Sequence, residues 1–415
     1  MSSEPQGPQE ATASAPDLPP ENEPVKGFRV LAILSALMSF ASVSTDLYLP
    51  ALPAMGASLH ADAGAVELTI SGYLIGFSLG QLFWGPIGDR YGRRLPITLG
   101  LLLFIVGSAG CALSTSVPMM IGWRLVQAVG ACANVVLARA MVRDLYVGHQ
   151  AARMLSILMT AMAIAPLIGP SVGGLILHVA SWNAIFWVLV GVGLLTLWAL
   201  TQLPETLPPQ RRNKQSLLAA LRGYGQLLRD PRLLAYAGVG GCFYGAMFAY
   251  VAGTPVAYIT HHHVSPQHYG LLFALGIVGI MAANQINSRL VRRHGIDRLI
   301  RFGAVLATAS GGVVALASWH DWGGLWGLVI PLFFFAAATG FIVANAIVGA
   351  LYKHPERAGL VSALIGALQY GTGILGSACV GYFANGTPFP MGLTIAVFSV
   401  GSLVFSLGLK SDGDA

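Results

Sequence analysis

Two charged residues lie inside long apolar segments of this sequence. Asp46 belongs to STDLYLPALP, and Arg124 belongs to MMIGWRLVQAVGACANVVLA. A carboxylate can take up and release a proton, whereas a guanidinium stays charged and can tune a nearby acid or hold an anionic or polar group. An apolar environment favours the neutral acid, and a nearby cation favours the charged one. We therefore expect Asp46 and Arg124 to form a proton-exchange site.

Both charges continue stripes of polar or small residues at helical spacing. The stripes are Ser35, Ser39, Ser42 and Asp46, and Arg124, Gln127, Ala131 and Asn134. A polar stripe on an apolar helix faces a bundle interior or a watery cavity. Because both charges lie roughly 10 Å deep at about 1.5 Å per residue, we expect them to face one cavity. A purely structural ion pair, and close helix packing by the serines, are the alternatives.

The chain that positions these residues has the composition of an integral membrane protein. Of its 415 residues, 55% are hydrophobic and 10% are charged, against about 25% charged in soluble domains. Apolar runs long enough to cross a bilayer recur along the chain. They predict twelve spans near residues 28–50, 66–87, 95–113, 117–142, 153–177, 183–203, 233–259, 268–289, 299–318, 324–351, 358–381 and 390–409.

The basic residues predict the orientation of these spans. The connections without Lys or Arg are 51–65, 114–116, 178–182, 260–267, 319–323 and 382–389. Every basic residue except Arg124 lies on the other side, with both termini, and the positive-inside rule assigns that side to the cytoplasm. The net charge of +6 therefore reflects topology, and we expect a lipid bilayer and no nucleic acid as partner.

Composition also predicts the domain organisation. Two six-helix bundles around a central cavity are expected at 25–204 and 233–410, because duplicated bundles commonly enclose a site at the membrane midplane. Residues 1–24 predict a disordered cytoplasmic tail, and 411–415 a short one. The linker 205–232 is basic. Its apolar residues at helical spacing predict an amphipathic helix on the membrane surface, although its first half also fits a solvated segment; they are Leu217, Leu218, Leu221, Tyr224 and Leu228.

Several motifs resemble those of the major facilitator superfamily. GPIGDRYGRR (Gly85–Arg94) resembles its loop signature between spans 2 and 3, and RLVQAVGA (Arg124–Ala131) resembles its span-4 signature, with Ala128 in place of a glycine. GPSVGG (Gly169–Gly174), DLYLPALP (Asp46–Pro53) and RAMVRDLY (Arg139–Tyr146) resemble elements of its twelve-helix drug:proton antiporters, in the Bcr/CflA branch. The resemblance implies a monomeric transporter of the bacterial inner membrane. It would export small compounds of the bicyclomycin or chloramphenicol type in exchange for protons, by alternating access.

The loop motif implies a charged gate on the cytoplasmic side. Its residues are Gly85, Asp89, Arg90, Gly92, Arg93 and Arg94, together with Asp144. Asp89 is expected to meet the positive N-terminus of span 11, near Glu356–Gly359. The three arginines are expected to bridge to Asp144 and so to latch the outward-open form. Positive-inside anchoring alone would explain the arginines but not Asp89.

Span 5 and the later spans supply further candidates. The span-5 motif predicts a kinked, closely packed helix through Pro166, Gly169, Pro170, Gly173 and Gly174, and only the resemblance links it to export. Candidates for substrate contact are Ser39, Ser42, Gln127, Asn134, Tyr244, Phe248, Tyr250, Asn345, Gln369 and Tyr370. An aromatic cavity would suit amphipathic drugs, whereas core or lipid-facing positions are the alternative for each.

Other chemistries find less support. No HExxH or P-loop pattern occurs, so we expect no cofactor, no metal and no enzymatic activity. His261–His263 is expected to be a solvated loop, with metal binding and pH sensing as alternatives. The remaining functional alternatives are an exporter of a nucleobase, nucleoside or amino acid, a nutrient:proton symporter, and a membrane-embedded enzyme or scaffold.

Overall fold

The computed structural model describes residues 27–146, 148–212, 217–352 and 357–409, and every regular element within these ranges is helical. Twelve helical segments among the described residues are long and apolar enough to cross a membrane. The predicted all-α polytopic fold is therefore confirmed. Both predicted tails and Glu356 lie outside the described residues.

The spans follow the predicted order in two groups of six. The first group is span 1 (Gly27–Asp46, followed by short helices at Leu49–Ala51 and Leu52–Ser58), span 2 (Ala63–Tyr91), span 3 (Arg94–Ala112), span 4 (Val117–Leu145), span 5 (Gly148–Val179) and span 6 (Trp182–Leu200). The second is span 7 (Pro231–Pro255, followed by a π-helical turn at Val256–His261), span 8 (Pro266–His294), span 9 (Ile296–His320), span 10 (Gly324–Ala337 and Thr339–Leu351), span 11 (Ala358–Tyr382) and span 12 (Phe389–Leu407).

Three helix ends differ from the predicted spans. The helix of span 1 ends at Asp46, and the predicted connection 51–65 is largely helical. Span 10 is interrupted at Ala338, whose amide donates to both Phe334 and Phe335 carbonyls. Span 7 continues through its π-helical turn to His261, so the connection to span 8 is shorter than predicted. Hydropathy does not detect an interruption such as that of span 10, because the residues on both sides of Ala338 are apolar.

Side-chain caps fix where several spans begin. The Asp62 carboxylate accepts a hydrogen bond from the Ala65 amide at 2.7 Å. Asp230 accepts from the amides of Arg232 and Leu233 at the start of span 7. These bonds satisfy amides that the first helical turn leaves without partners.

Small residues set the packing between the two bundles. We call the side that carries both ends of the described chain the terminal face, and the other side the opposite face. Near the opposite face, Gly64 of span 2 abuts Gly381 of span 11 so closely that a Cβ would overlap its carbonyl oxygen. Deeper in the same pair of helices, Ser71 Oγ and Ser377 Oγ are hydrogen-bonded at 2.7 Å. Spans 5 and 8 meet in the same way, through Gly174 and Pro266.

The linker forms a helix at Leu217–Leu227 that packs against span 2 of the first bundle and span 11 of the second. The Tyr224 hydroxyl is buried and donates to the Leu82 carbonyl at 3.1 Å. Burial raises the pKa of Tyr224 to about 12, with Asp89 adding to the effect, so the hydroxyl keeps the proton that it donates. Leu221 in the helix and Leu228 just past its end are exposed, which leaves two apolar side chains available to a membrane surface. Its location on a membrane surface remains a prediction.

Candidate functional site

A cavity lies between the two bundles near the middle of the spans. Its volume is about 190 Å³, below the roughly 300 Å³ at which drug-sized pockets begin. Its polar lining residues are Ser42, Thr45, Asp46 and Thr339, and its aromatic ones are Tyr73, Phe243, Tyr244, Phe248, Phe273 and Tyr370. Aliphatic side chains, such as Met247, Val251 and Ile277, complete the wall. The cavity is thus mainly apolar and contracted in this conformation.

Asp46 provides the only carboxylate in the described lining of this cavity. It is the last residue of the span-1 helix, and its side chain is 7% exposed. Span 5 packs directly behind it, because a Cβ at Gly169 would lie 3.3 Å from the Asp46 Cβ. The placement of Asp46 on the cavity wall agrees with the expectation from its polar stripe.

Arg124 lies behind the wall, not on it. Its side chain is fully buried, and its Nη1 donates to the Ser44 carbonyl at 2.9 Å and to Gln127 Oε1 at 2.6 Å. The guanidinium carbon lies 4.1 Å from the ring centre of Tyr48 and 4.3 Å from that of Tyr73. The expectation that both charges face one cavity is therefore wrong for Arg124. Among the described residues, no ion pair joins it to Asp46.

Tyr73 connects the buried cation to the cavity. One part of this side chain lines the cavity, and its ring covers the Arg124 guanidinium. Its hydroxyl is hydrogen-bonded to Ser44 Oγ at 2.6 Å, and Ser44 lies two residues before Asp46. Arg124 thus holds the end of the span-1 helix in place through Ser44 and Tyr73. Sequence reasoning missed Tyr73, which is one of five aromatic residues in span 2 and is not set apart from the others by the sequence.

The aromatic candidates divide into two groups. Tyr244, Phe248 and Tyr370 line the cavity and contact one another, with ring centres 5.6 to 6.0 Å apart. Tyr250 instead stacks on Phe273 at 5.4 Å inside the second bundle and is buried. Its prediction as a lining residue is wrong for this conformation.

Most polar candidates also lie away from the cavity, and three of them are hydrogen-bonded elsewhere in the bundles. Ser42 lines it, but the Ser39 hydroxyl donates to the Ser35 carbonyl of its own helix. Gln127 is engaged by Arg124 and donates to Ser108 Oγ at 2.7 Å.

The remaining amide candidates are buried within the bundles. Asn345 donates to Asn287 Oδ1 at 2.8 Å, which joins spans 8 and 10. Asn134 and Gln369 are buried outside the described lining. Asn134 beside span 3 and the Gln369 Nε2 beside Gly240 have no hydrogen-bond partner among the described residues.

The glycines of span 5 pack against both bundles. A Cβ at Gly173 would overlap the Leu47 carbonyl oxygen, and one at Gly174 would lie 2.5 Å from the Pro266 carbonyl oxygen. Pro166 lines the cavity, and Pro170 lies within the same continuous helix. The predicted close packing is present, and its contribution to export stays a prediction.

A charged cluster on the terminal face ties together the ends of spans 2, 4 and 6. The buried Arg93 side chain donates to Asp89 Oδ1 at 2.6 Å and to Asp144 Oδ2 at 2.7 Å. Glu205 accepts from the backbone amides of Arg93 and Arg94 at 2.8 and 3.1 Å. Burial raises the pKa of Glu205, but these amides, that of Leu207 and the charge of Arg212 outweigh it and leave the pKa below its ordinary value of 4.5.

Of the contacts that the gate prediction named, the part of the chain that the structure describes contains only that of Arg93 with Asp144, and the gating role stays a prediction. Arg93 alone reaches Asp144, because Arg90 lies over the Tyr91 ring and the Arg94 guanidinium donates to the Thr201 carbonyl. Among the described residues, no hydrogen bond or ion pair joins Asp89 to the start of span 11. Both line a second cavity of about 190 Å³, whose residues include Gly85, Arg139, Arg143, Gly359 and Leu360.

Gly92 is the one motif glycine with a special backbone conformation. Its φ is +92°, and a Cβ there would lie 2.6 Å from Glu205 Oε2. Left-handed conformations of this kind favour glycine. Gly85 has open space around it instead, so nothing in its packing demands a glycine.

Glu67 is a second buried acid, which sequence reasoning missed. Its side chain is 2% exposed, and its Oε2 has no partner among the described residues. It faces Gly253, Val256 and Met391 of the second bundle across a very small cavity near the opposite face. The predicted span 2 began at residue 66, so Glu67 was expected to lie at the membrane interface and not inside the protein.

The comparisons with known proteins agree with this fold and these motifs. The sequence model of the Major Facilitator Superfamily matches residues 32–377. The chain belongs to the Major Facilitator Superfamily. This superfamily is a family of transporters and not of enzymes.

Relatives within the Major Facilitator Superfamily cover most of the chain. An "Uncharacterized MFS-type transporter YdgK" of Bacillus subtilis is 35% identical, over 90% of this chain and 93% of its own. A "Bicyclomycin resistance protein homolog" of Haemophilus influenzae is 31% identical, over 92% and 97%. A "Chloramphenicol resistance protein" of Pseudomonas aeruginosa is 30% identical, over 86% and 85%. These relatives confirm the resemblance to the Bcr/CflA branch.

Solved structures of the superfamily confirm the fold. A mutant form of the nucleoside transporter NupG superposes with a TM-score of 0.73 over 91% of this chain and 98% of its own, at 15% identity. A partially occluded inward-open form of the xylose transporter XylE from E. coli gives 0.72 over 94% and 98%, also at 15% identity. At such identities the likeness concerns the architecture alone.

Proposed function

We propose that this chain exports small drug-like compounds in exchange for protons, by alternating access to the central cavity. The observation that carries this proposal is the Asp46 carboxylate, which faces a cavity otherwise walled by aromatic and aliphatic side chains. The names of the bicyclomycin- and chloramphenicol-resistance relatives support small antibiotics as cargo.

Competition for one carboxylate gives a physical basis for exchange. An ionised acid in a low-dielectric cavity costs several kcal/mol unless a cation or hydrogen-bond donors compensate it. Asp46 therefore binds a proton when the contracted cavity is empty. A compound whose donor or cationic group pairs with Asp46, and whose apolar part packs on Tyr244 and Phe248, replaces that proton. Because substrate and proton bind to the same carboxylate, their binding is mutually exclusive. The cavity therefore carries one in one direction and the other in the opposite direction.

Arg124 serves a positioning role in this proposal. Its hydrogen bond to the Ser44 carbonyl and its stacking on Tyr73 fix the helix end that carries Asp46. It lies outside the cavity lining, so a direct contact with substrate is not part of the mechanism. Ser44 and Gln127 engage only its Nη1, and Tyr48 covers the face of the guanidinium, so Asp46 is left free to exchange its proton.

Glu67 is the second group that we assign to proton binding. It is enclosed by residues of both bundles near the opposite face. When the bundles separate on that face, water reaches the carboxylate and stabilises its ionised form; when they close, the neutral form is favoured. Protons on that side therefore favour closure, as a proton-driven exporter needs.

The orientation follows from the charges. The Arg93 cluster and the basic linker lie on the terminal face, which the positive-inside rule assigns to the cytoplasm. We place the protein in a bacterial inner membrane with both termini inside. One chain contains the whole cavity, so a monomer is sufficient for transport.

Proteoliposomes with an acidic lumen and a luminal pH dye test the exchange. Adding chloramphenicol or bicyclomycin outside should raise the luminal pH with the unmodified protein, and Asp46→Asn should abolish the rise. The matched control is Asp230→Asn, which makes the same chemical change at the cap of span 7 on the terminal face, where Asn caps equally well. It should behave like the unmodified protein.

Two outcomes would contradict the proposal. Full proton exchange in Asp46→Asn would remove Asp46 from the mechanism. Exchange with nucleosides, nucleobases or amino acids, and none with antibiotics, would establish a metabolite exporter, whereas acidification of a neutral lumen together with substrate uptake would establish symport.

A further inference from the structure

Three metal-binding side chains meet at the opposite face of the second bundle. His261 and His262 end span 7, and Asp321 follows span 9. His261 Nε2 lies 3.7 Å and His262 Nε2 lies 3.9 Å from Asp321 Oδ1. The three ligand atoms all lie within 4.8 Å of one another. Two separate connections of the chain therefore converge on one point.

The burial of His262 contradicts the expectation of a solvated loop. Its side chain is 11% exposed. Its Nε2 is inaccessible to solvent and has no hydrogen-bond partner among the described residues. A buried ring nitrogen without a partner is costly, so a ligand at this point would supply a missing interaction.

The separations between these atoms fit an ion better than direct hydrogen bonds. Both distances to Asp321 exceed the roughly 2.7–3.2 Å of a hydrogen bond. Ligands at about 2.0–2.1 Å from a tetrahedral Zn²⁺ are about 3.3 Å apart. The exposed Asp321 carboxylate needs to move only a few tenths of an ångström, and rotation of the two imidazoles toward each other closes the rest of a cluster that spans up to 4.8 Å.

The backbone holds both connections in defined positions. The His262 amide donates to the Ala257 carbonyl, five residues back, at 3.3 Å, which closes the π-helical turn. Asp321 has a φ of 50°, and the Trp322 amide after it donates to the Ala317 carbonyl at 3.0 Å. The ligands are thus carried by ordered helix ends.

We propose that His261, His262 and Asp321 bind one divalent transition-metal ion of the Zn²⁺ type, with water completing its coordination. Two imidazoles and one carboxylate form a donor set that suits Zn²⁺, whereas Mg²⁺ and Ca²⁺ prefer oxygen ligands alone. A bound ion would join the connection between spans 7 and 8 to that between spans 9 and 10. It would therefore stabilise the second bundle against unfolding.

Zn²⁺ binding to the purified full-length protein tests this site. The protein should carry no histidine tag, and binding is measured by competition with a chromophoric chelator and by thermal unfolding. We expect one Zn²⁺ per chain, a higher Tm with Zn²⁺ and no effect of Mg²⁺. With Co²⁺ as the probe, a visible absorption spectrum of tetrahedral type is expected.

Matched variants separate this site from nonspecific binding by a run of histidines. His262→Ala and Asp321→Asn should each weaken Zn²⁺ binding about tenfold or more, the loss typical even of outer-shell partners. Asn tolerates the positive φ at position 321, so Asp321→Asn should fold normally. His263→Asn, in the same loop but outside the cluster, is the control and should bind as the unmodified protein does.

Either of two results would overturn the assignment. Unchanged Zn²⁺ affinity in both His262→Ala and Asp321→Asn would show that the cluster is not the site. An equal loss in His263→Asn would show that the histidines bind as a flexible run. Neither result depends on the transport proposal, since the cluster lies away from the Asp46 cavity.

Discussion

Gly173→Ala tests the contact that places span 5 behind the cavity wall. A Cβ at this position would overlap the Leu47 carbonyl oxygen and lie 3.0 Å from Pro50 Cγ. Overpacking of a close interface costs about 1–3 kcal/mol. Because the obstructing atoms belong to backbone and a proline ring, they have no rotamer to escape into. We therefore expect a loss of about 2–3 kcal/mol of stability, near the upper end of that range.

The matched control is Gly191→Ala on span 6, where a Cβ would have no neighbour within 4 Å. It should leave stability unchanged or raise it by up to about 1 kcal/mol, because alanine is the better helix former. Equilibrium unfolding of the two purified variants in the same detergent measures the difference, and substrate-dependent proton release measures the effect on transport. Equal stability of the two variants would refute the argument, because the span 5–span 1 contact would then not have the closeness described here.

Three further variants test the other parts of the site. Arg124→Lys keeps the positive charge but removes the planar guanidinium, which is hydrogen-bonded to Ser44 and Gln127 and stacks on two tyrosine rings. The free energy of unfolding should therefore fall by about 2–4 kcal/mol. Unchanged stability would contradict this role. Glu205 has a depressed pKa, so its stabilisation is complete above its ordinary value of 4.5 and is lost as the pH falls through the lower folded value. Glu205→Gln should therefore lose less stability between neutral and acidic pH than the unmodified protein, and an unchanged acid sensitivity would contradict it. Glu67→Gln should flatten the dependence of exchange on the pH of the opposite face, and an unchanged pH profile would remove Glu67 from the mechanism.

The spans and their order could be predicted because every membrane helix needs a long apolar run, and basic residues mark the side on which it ends. The direction in which a buried polar side chain points could not be predicted. The stripe through Arg124 does face protein, as its composition required, but it faces the interior of the first bundle beside Gln127 and Ser108. A single sequence does not distinguish the interior of one bundle from the space between two.

Helical geometry explains only part of the lining of span 7. Tyr244 and Phe248 are four residues apart and share one face with the lining residues Met247 and Val251. Tyr250 is about 200° round the helix from Phe248, but it is seven residues, or only about 20°, from the lining residue Phe243. Spacing alone therefore could not exclude Tyr250. The clustering of His261 with Asp321 had no sequence signal either, because it depends on the tertiary approach of two connections.

Ion pairs stabilise the terminal face of the protein, whereas neutral contacts between small residues close the opposite face. This difference decides at which face protonation can shift the conformation. The ion pairs of Arg93 with Asp89 and Asp144 lie within the first bundle and are intact while small residues close the opposite face. They therefore make the first bundle rigid without themselves bridging to the second. Closure of the opposite face rests on neutral contacts such as Ser71–Ser377, and Glu67 is the acid that this closure buries. A ligand shifts an equilibrium only by its differential affinity for the two states. We propose that protonation of Glu67 provides such a difference, since closure takes the carboxylate out of water and burial without a partner disfavours its charged form.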